Sequence, residues 1–143
     1  MKTTLGNLLN VKGSEIWSIA PDDSVYSAIE IMAEKGVGLL LVLDSQQPVG
    51  VISERDYARR IILEGRSSRE TAVSEIMTRQ IVYGKPQQTV QEALSVMTEH
   101  HFRHLPVIDG DQVLGILSIG DLVKVVIDDQ NFQIEQLEGY ISS

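Results

Sequence analysis

Gly50-Val51-Ile52-Ser53-Glu54-Arg55-Asp56 returns 65 positions later as Gly115-Ile116-Leu117-Ser118-Ile119-Gly120-Asp121. Each copy reads as a glycine, a short apolar strand, and a Ser-x-x-Asp corner opening a helix. Working outward, the same shift of 65 aligns residues 16–62 with 81–127 without a gap. Ile16, Pro21, Val25, Ala28, Met32, Glu34, Leu40, Val42, Asp44, Gln47, Gly50, Ser53, Asp56 and Ile62 all recur identically. The chain therefore contains an internal duplication.

Each copy predicts the order β-α-β-β-α, an α/β (α+β) fold. A short extended piece, 16–19 or 81–83, ends at Pro21 or Pro86, where the ring removes a backbone donor. A helix follows from Ser24 or Thr89, the latter with Glu92 completing a capping box. Its apolar residues fall at Val25, Ala28, Ile29 and Met32, and again at Val90, Ala93, Leu94 and Met97, the stripe of a core-facing helix. Two strands, 39–43 with 49–53 and 104–108 with 113–118, are spaced as antiparallel hairpins. A second helix runs from Asp56 to about Leu63, stopped by Gly65, and from Asp121 to about Ile127. One copy buries too little surface to stand alone, so the two are expected to pack with pseudo-two-fold symmetry.

The organisation that results is a lead-in at 1–15, a repeat at 16–63, a polar linker and short helix at 64–80, a second repeat at 81–128, and an amphipathic helix at 129–143. That last helix carries Phe132, Ile134, Leu137 and Ile141 among polar residues and needs a cover from the same chain or from a second copy.

Charge narrows the function. Twelve Lys and Arg against 20 Asp and Glu give a net charge of −8 over 143 residues, which disfavours nucleic acid and anionic membranes as partners. The chain has no cysteine, removing disulfides, zinc-thiolate sites and thiol catalysis. The apolar run Leu39–Leu43 is too short to span a bilayer, and no signal-peptide pattern opens the sequence, so a cytoplasmic protein is expected. Neither a P-loop nor a Gly-x-Gly-x-x-Gly turn is present, and no nucleophile–base pair or carboxylate pair stands at a recognisable spacing. The expectation is a protein that is not an enzyme.

His104-Leu-Pro-Val-Ile-Asp-Gly110, Gly115-Ile-Leu-Ser-Ile-Gly-Asp-Leu122 and Ser74-Glu-Ile-Met-Thr78, with weaker counterparts in the first copy, resemble a tandem pair of cystathionine β-synthase (CBS) domains, or Bateman module. The closing Leu137-Glu-Gly-Tyr-Ile141 is similar to small stand-alone bacterial modules of that kind. The resemblance implies an adenine nucleotide (AMP, ADP, ATP, NAD, sometimes S-adenosylmethionine) in the cleft between the repeats. It implies regulation of a partner protein rather than catalysis, and a disc-like homodimer. The competing expectation is a structural homodimerisation module with empty sites.

A lone Ser-x-x-Asp is most simply a helix cap. Two copies on the face shared by the repeats also suit a nucleotide, because helix starts offer free N–H groups to phosphate and an aspartate can accept from ribose hydroxyls. The resemblance carries over two sites. The first gathers Ser53, Arg55, Asp56, Met77, Thr78, Arg79, Arg103 and His104. The second gathers Lys12, Gly13, Ser14, Gly38, Leu39, Ser118 and Asp121. Arginines concentrate at the first, which is expected to take phosphate-rich nucleotide. His100, His101 and His104 lack acidic or cysteine partners at ligand spacing, so no metal is expected. Arg59-Arg60 could reach phosphate but reads first as a solvated helical face, Trp17 could stack on adenine but reads first as packing, and Met32 and Met97 read as core.

Overall fold

The computed structural model describes residues 3–13 and 15–142. The first repeat forms β1 (Ser18–Ile19), α2 (Val25–Lys35), β2 (Leu39–Asp44), β3 (Gln47–Ser53) and α3 (Glu54–Tyr57), preceded by α1 (Leu5–Lys12). After α4 (Val73–Ile76), the second repeat forms α5 (Val90–His100), β4 (His104–Asp109), β5 (Gln112–Ser118) and α6 (Ile119–Ser142). β1 lies parallel to β2, and β2 and β3 are antiparallel; β4 and β5 repeat the hairpin, down to a register shift at Val107/Ile108 that matches the one at Val42/Leu43. In the second copy the expected first strand is reduced to one parallel bridge, Gly84 to Val107. A side chain at Gly84 would meet Leu5 Cδ1 at 2.6 Å, so the backbone there lies directly against α1.

Period-2 alternation sends Leu40, Val42 and Ile52 to one face of the first sheet, against Val25, Ala28 and Met32 of α2. Leu41 points the other way and is nevertheless fully buried, as is Ile116 on the second hairpin. Both sheets are thus covered on both faces.

The lead-in helices are exchanged between cores. Leu5 and Leu9 of α1 belong to the core of the second repeat, with Val90, Met97, Leu105 and Leu122. Val73, Ile76 and Met77, which precede the second repeat in sequence, belong to the core of the first. Backbone bonds tie each exchange: Leu5 N–H donates to Gln88 O at 2.9 Å and Val73 N–H to Asp23 O at 2.8 Å. Each repeat is completed by the segment that leads into the other.

Three further elements differ from expectation. The helix opened by Ser53 is α3 followed by a π-turn, Ala58–Ile62, where Leu63 N–H reaches back to Ala58 O at 3.1 Å. The helix opened by Ser118 does not stop near Ile127 but continues into the tail as one 24-residue helix; Gly139 is the only helix breaker in its second half and lies near its end. Thr89 caps α5 by accepting from Glu92 N–H at 3.2 Å, but Glu92 accepts from the Thr89 hydroxyl instead of its backbone, so the box is half formed. No helix among the described residues is long and apolar enough to cross a membrane.

Candidate functional site

Both corners are built alike. Ser53 ends β3 and caps α3 by accepting from Asp56 N–H at 3.1 Å, while Asp56 Oδ2 accepts from Ser53 N–H at 3.0 Å and from the Ser53 hydroxyl at 3.1 Å. Ser118 accepts from Asp121 N–H at 3.1 Å and donates its own N–H to Asp121 Oδ2 at 2.8 Å. Each corner is anchored to the loop before its hairpin, Glu54 N–H to Gly38 O at 3.0 Å and Ile119 N–H to Arg103 O at 2.8 Å.

Their surroundings differ. At the first corner the segment entering the second repeat crosses β3: Val51 and Thr78 exchange backbone hydrogen bonds of 2.9 and 2.8 Å. Gly50 permits that crossing, since a Cβ there would stand 2.8 Å from Thr78 O and 2.9 Å from Met77 Sδ. The crossing delivers the Thr78 hydroxyl to Asp56 Oδ1 at 3.1 Å. Three donors therefore meet a carboxylate with about four acceptor positions, and two of them are hydroxyls able to turn away. Among the described residues no cation pairs with Asp56.

At the second corner Lys12, the last residue of α1, forms an ion pair with Asp121 and also donates to Ile116 O at 3.2 Å. Burial pushes the Asp121 carboxyl up, but hydrogen bonds from Lys12 and Ser118 outweigh it and hold the group below the usual carboxylate range. Trp17 lies edge-on to His104, centroids 5.5 Å apart, with Lys12 Nζ 6.0 Å from the indole. Burial, aided by the Lys12 and Arg103 charges and opposed by Asp121, lowers the His104 pKa below its ordinary value.

A cleft of about 780 Å³ opens between the repeats at the first corner. Ser53, Arg55, Asp56, Thr78, Arg103 and His104 all line it, as the sequence reading requires of its first site. Two residues of that set do not. Met77 is buried, its sulfur packed beneath Gly50, because the chain alternates sides as it crosses β3 and sends Thr78 outward. Arg79 lines an adjoining cavity instead. Gly38 and Leu39, assigned to the second site, line the first cleft, since the loop they occupy faces its counterpart at 101–104. Lys12, Ser118 and Asp121 remain together at the second corner; Gly13 ends α1 with a φ of 102°, and Ser14 lies outside the described residues.

The sequence reading prefers a solvated face for Arg59 and Arg60 over a reach to phosphate; both are exposed on the π-turn, and both also line the cleft, as do Arg55 and Arg103. Four guanidiniums and two carboxylates, Glu54 and Asp56, thus line one cleft in a chain of net charge −8. A π-turn at a functional wall is a recurrent arrangement, but helical spacing alone does not reveal one.

Fold and cleft together define a duplicated α/β module with a basic cleft between its repeats. The chain belongs to the CBS domain family, whose model matches residues 11–63 and 73–128; it is a CBS domain pair. It is 37% identical over 149 residues to the mitochondrial CBS domain-containing protein CBSX3 of Arabidopsis thaliana, covering 97% of this chain and 72% of that one. A solved protein with CBS domains from Burkholderia ambifaria superposes with a TM-score of 0.81 at 49% identity, covering 90% of this chain and 96% of that one. A hexameric CBS-CP12 protein from bloom-forming cyanobacteria superposes at 0.71 with 26% identity, covering 86% and 67%.

Proposed function

We propose that the chain is a regulatory sensor that binds an adenine nucleotide (AMP, ATP or NAD) in the cleft at Ser53 and Asp56 and acts on a partner protein. The observation that carries this reading is that Asp56, which has no ion-pair partner among the described residues, lines one cleft with four arginines drawn from both repeats. Asp56 offers acceptors for ribose hydroxyls, Ser53 and Thr78 offer hydroxyls, and the arginines offer phosphate a fork of donors. Ligand in a cleft between repeats signals only if it binds two arrangements of the repeats with different affinity. Thermal unfolding with AMP, ATP or NAD tests it: ligand at 100 times its dissociation constant stabilises by about 2.7 kcal/mol. No shift with any of the three contradicts it.

A second reading, an association module whose corners serve only as caps, draws on α6. Val123, Ile127, Ile134, Leu137 and Ile141 are exposed and follow the 4-3 spacing of a coiled-coil seam, interrupted at Gln130. A homodimer through this seam is compatible with nucleotide binding. Sedimentation showing a dimer together with melting indifferent to nucleotide favours the second reading over the first.

A further inference from the structure

Beside the nucleotide cleft lies a second cavity of about 790 Å³, lined by residues of the linker and α4. The two share Arg60, Thr78 and Gln80, so they adjoin where the chain crosses β3. Beyond that junction stand Arg66 and Arg79, with Glu75 as the acid among them. Arg66 Nη2 donates to Glu75 Oε1 at 2.7 Å, while the other Glu75 oxygen accepts from Ala72 N–H at 2.7 Å at the start of α4. Among the described residues, Arg79 has only a long contact, Nη2 to Ser74 O at 3.5 Å. Three guanidiniums against one carboxylate leave the cavity positive although the chain as a whole is acidic.

Resting on the nucleotide reading above, we propose that this outer cavity is a polyphosphate subsite. Arg66 and Arg79 hold phosphates that pass Thr78, and the site selects ligands with a phosphate chain over a nucleoside monophosphate. Glu75 acts against it, both by repelling phosphate and by engaging Arg66 when the cavity is empty. The linker between the repeats thereby joins the ligand contacts, so chain length of the ligand is read by the segment that completes the first repeat.

Titration calorimetry on the full chain with AMP and with ATP, both without magnesium, tests this. Wild type binds ATP more tightly than AMP. Arg66→Gln weakens ATP about tenfold and leaves AMP unchanged, and Arg79→Gln acts in the same direction. Glu75→Gln, whose amide oxygen still accepts from Ala72 N–H, tightens ATP about threefold at low salt without affecting AMP. If AMP binds and ATP gains nothing over it, or keeps its gain in both arginine variants, the subsite is overturned and the nucleotide cleft stands. If neither nucleotide binds wild type, both fall.

Discussion

Asp56 and Asp121 occupy the same place in two copies of one unit. Both are held by a serine three residues earlier, with nearly equal hydrogen bonds. Asp56 then meets a neutral hydroxyl from the crossing segment, whereas Asp121 meets the ammonium of Lys12. A carboxylate held by hydroxyls keeps its charge available to a ligand; one paired with a lysine must release that lysine first. The duplication has conserved the mechanical corner and left its chemistry to whatever the exchanged segment brings. α1 brings a cation, and the segment after α4 brings a threonine.

The largest expected effect on this contrast comes from Gly50→Ala. The added methyl stands 2.8 Å from a backbone oxygen that β-pairing holds in place, so the crossing segment must shift. Destabilisation of about 1–3 kcal/mol is expected in chemical denaturation, with Thr78 withdrawn from Asp56. A neutral result would show that Thr78 is not fixed by the crossing. Next, Thr78→Val removes one donor from Asp56 without creating a cavity, and about 1 kcal/mol of stability is expected to go with it.

Lys12→Gln sharpens the other side of the comparison and is smaller, about 0.2–1 kcal/mol at neutral pH. Its pH signature is more informative. Asp121 has a folded pKa below its unfolded value, so the pair's stabilisation is present above the unfolded value and is lost as pH falls through the folded one. Denaturation midpoints across the acid limb should therefore converge for wild type and Lys12→Gln. The same variant removes a charge that depresses His104, so the imidazole titration followed by NMR moves up. An unmoved His104 midpoint would mean that the Lys12 charge does not act on it.

Much of this is legible in the sequence. The gapless repeat carries the β-α-β-β-α order, complete in the first copy and with a single bridge in place of the first strand in the second, because strand spacing, Pro21 and Pro86, and the Ser-x-x-Asp corners all recur in register. Six residues of the first candidate set reached one cleft for the same reason. What failed did so for reasons that no local pattern encodes. The exchange of α1 and α4 between cores is a tertiary choice: Leu5 and Val73 are apolar in either arrangement. Met77 and Thr78 are adjacent, and only strand pairing decides which of them faces outward. Arg59 and Arg60 are exposed, as a charged helical face predicts, and that they also line the cleft follows from the tertiary placement of the π-turn. The fusion of the second corner's helix with the tail did leave a signal, the lack of any proline or glycine between Asp121 and Glu138.

The comparison of the two corners reduces to calorimetric titration of ATP into Asp56→Ala and Asp121→Ala, both folded by circular dichroism. Loss of one charge-assisted set of hydrogen bonds at the first corner should weaken binding by about 10- to 100-fold, while Asp121→Ala should bind within a factor of a few of wild type. Equal loss in both variants, no loss in either, or loss confined to Asp121→Ala would contradict the assignment of the nucleotide to the Ser53 and Asp56 corner.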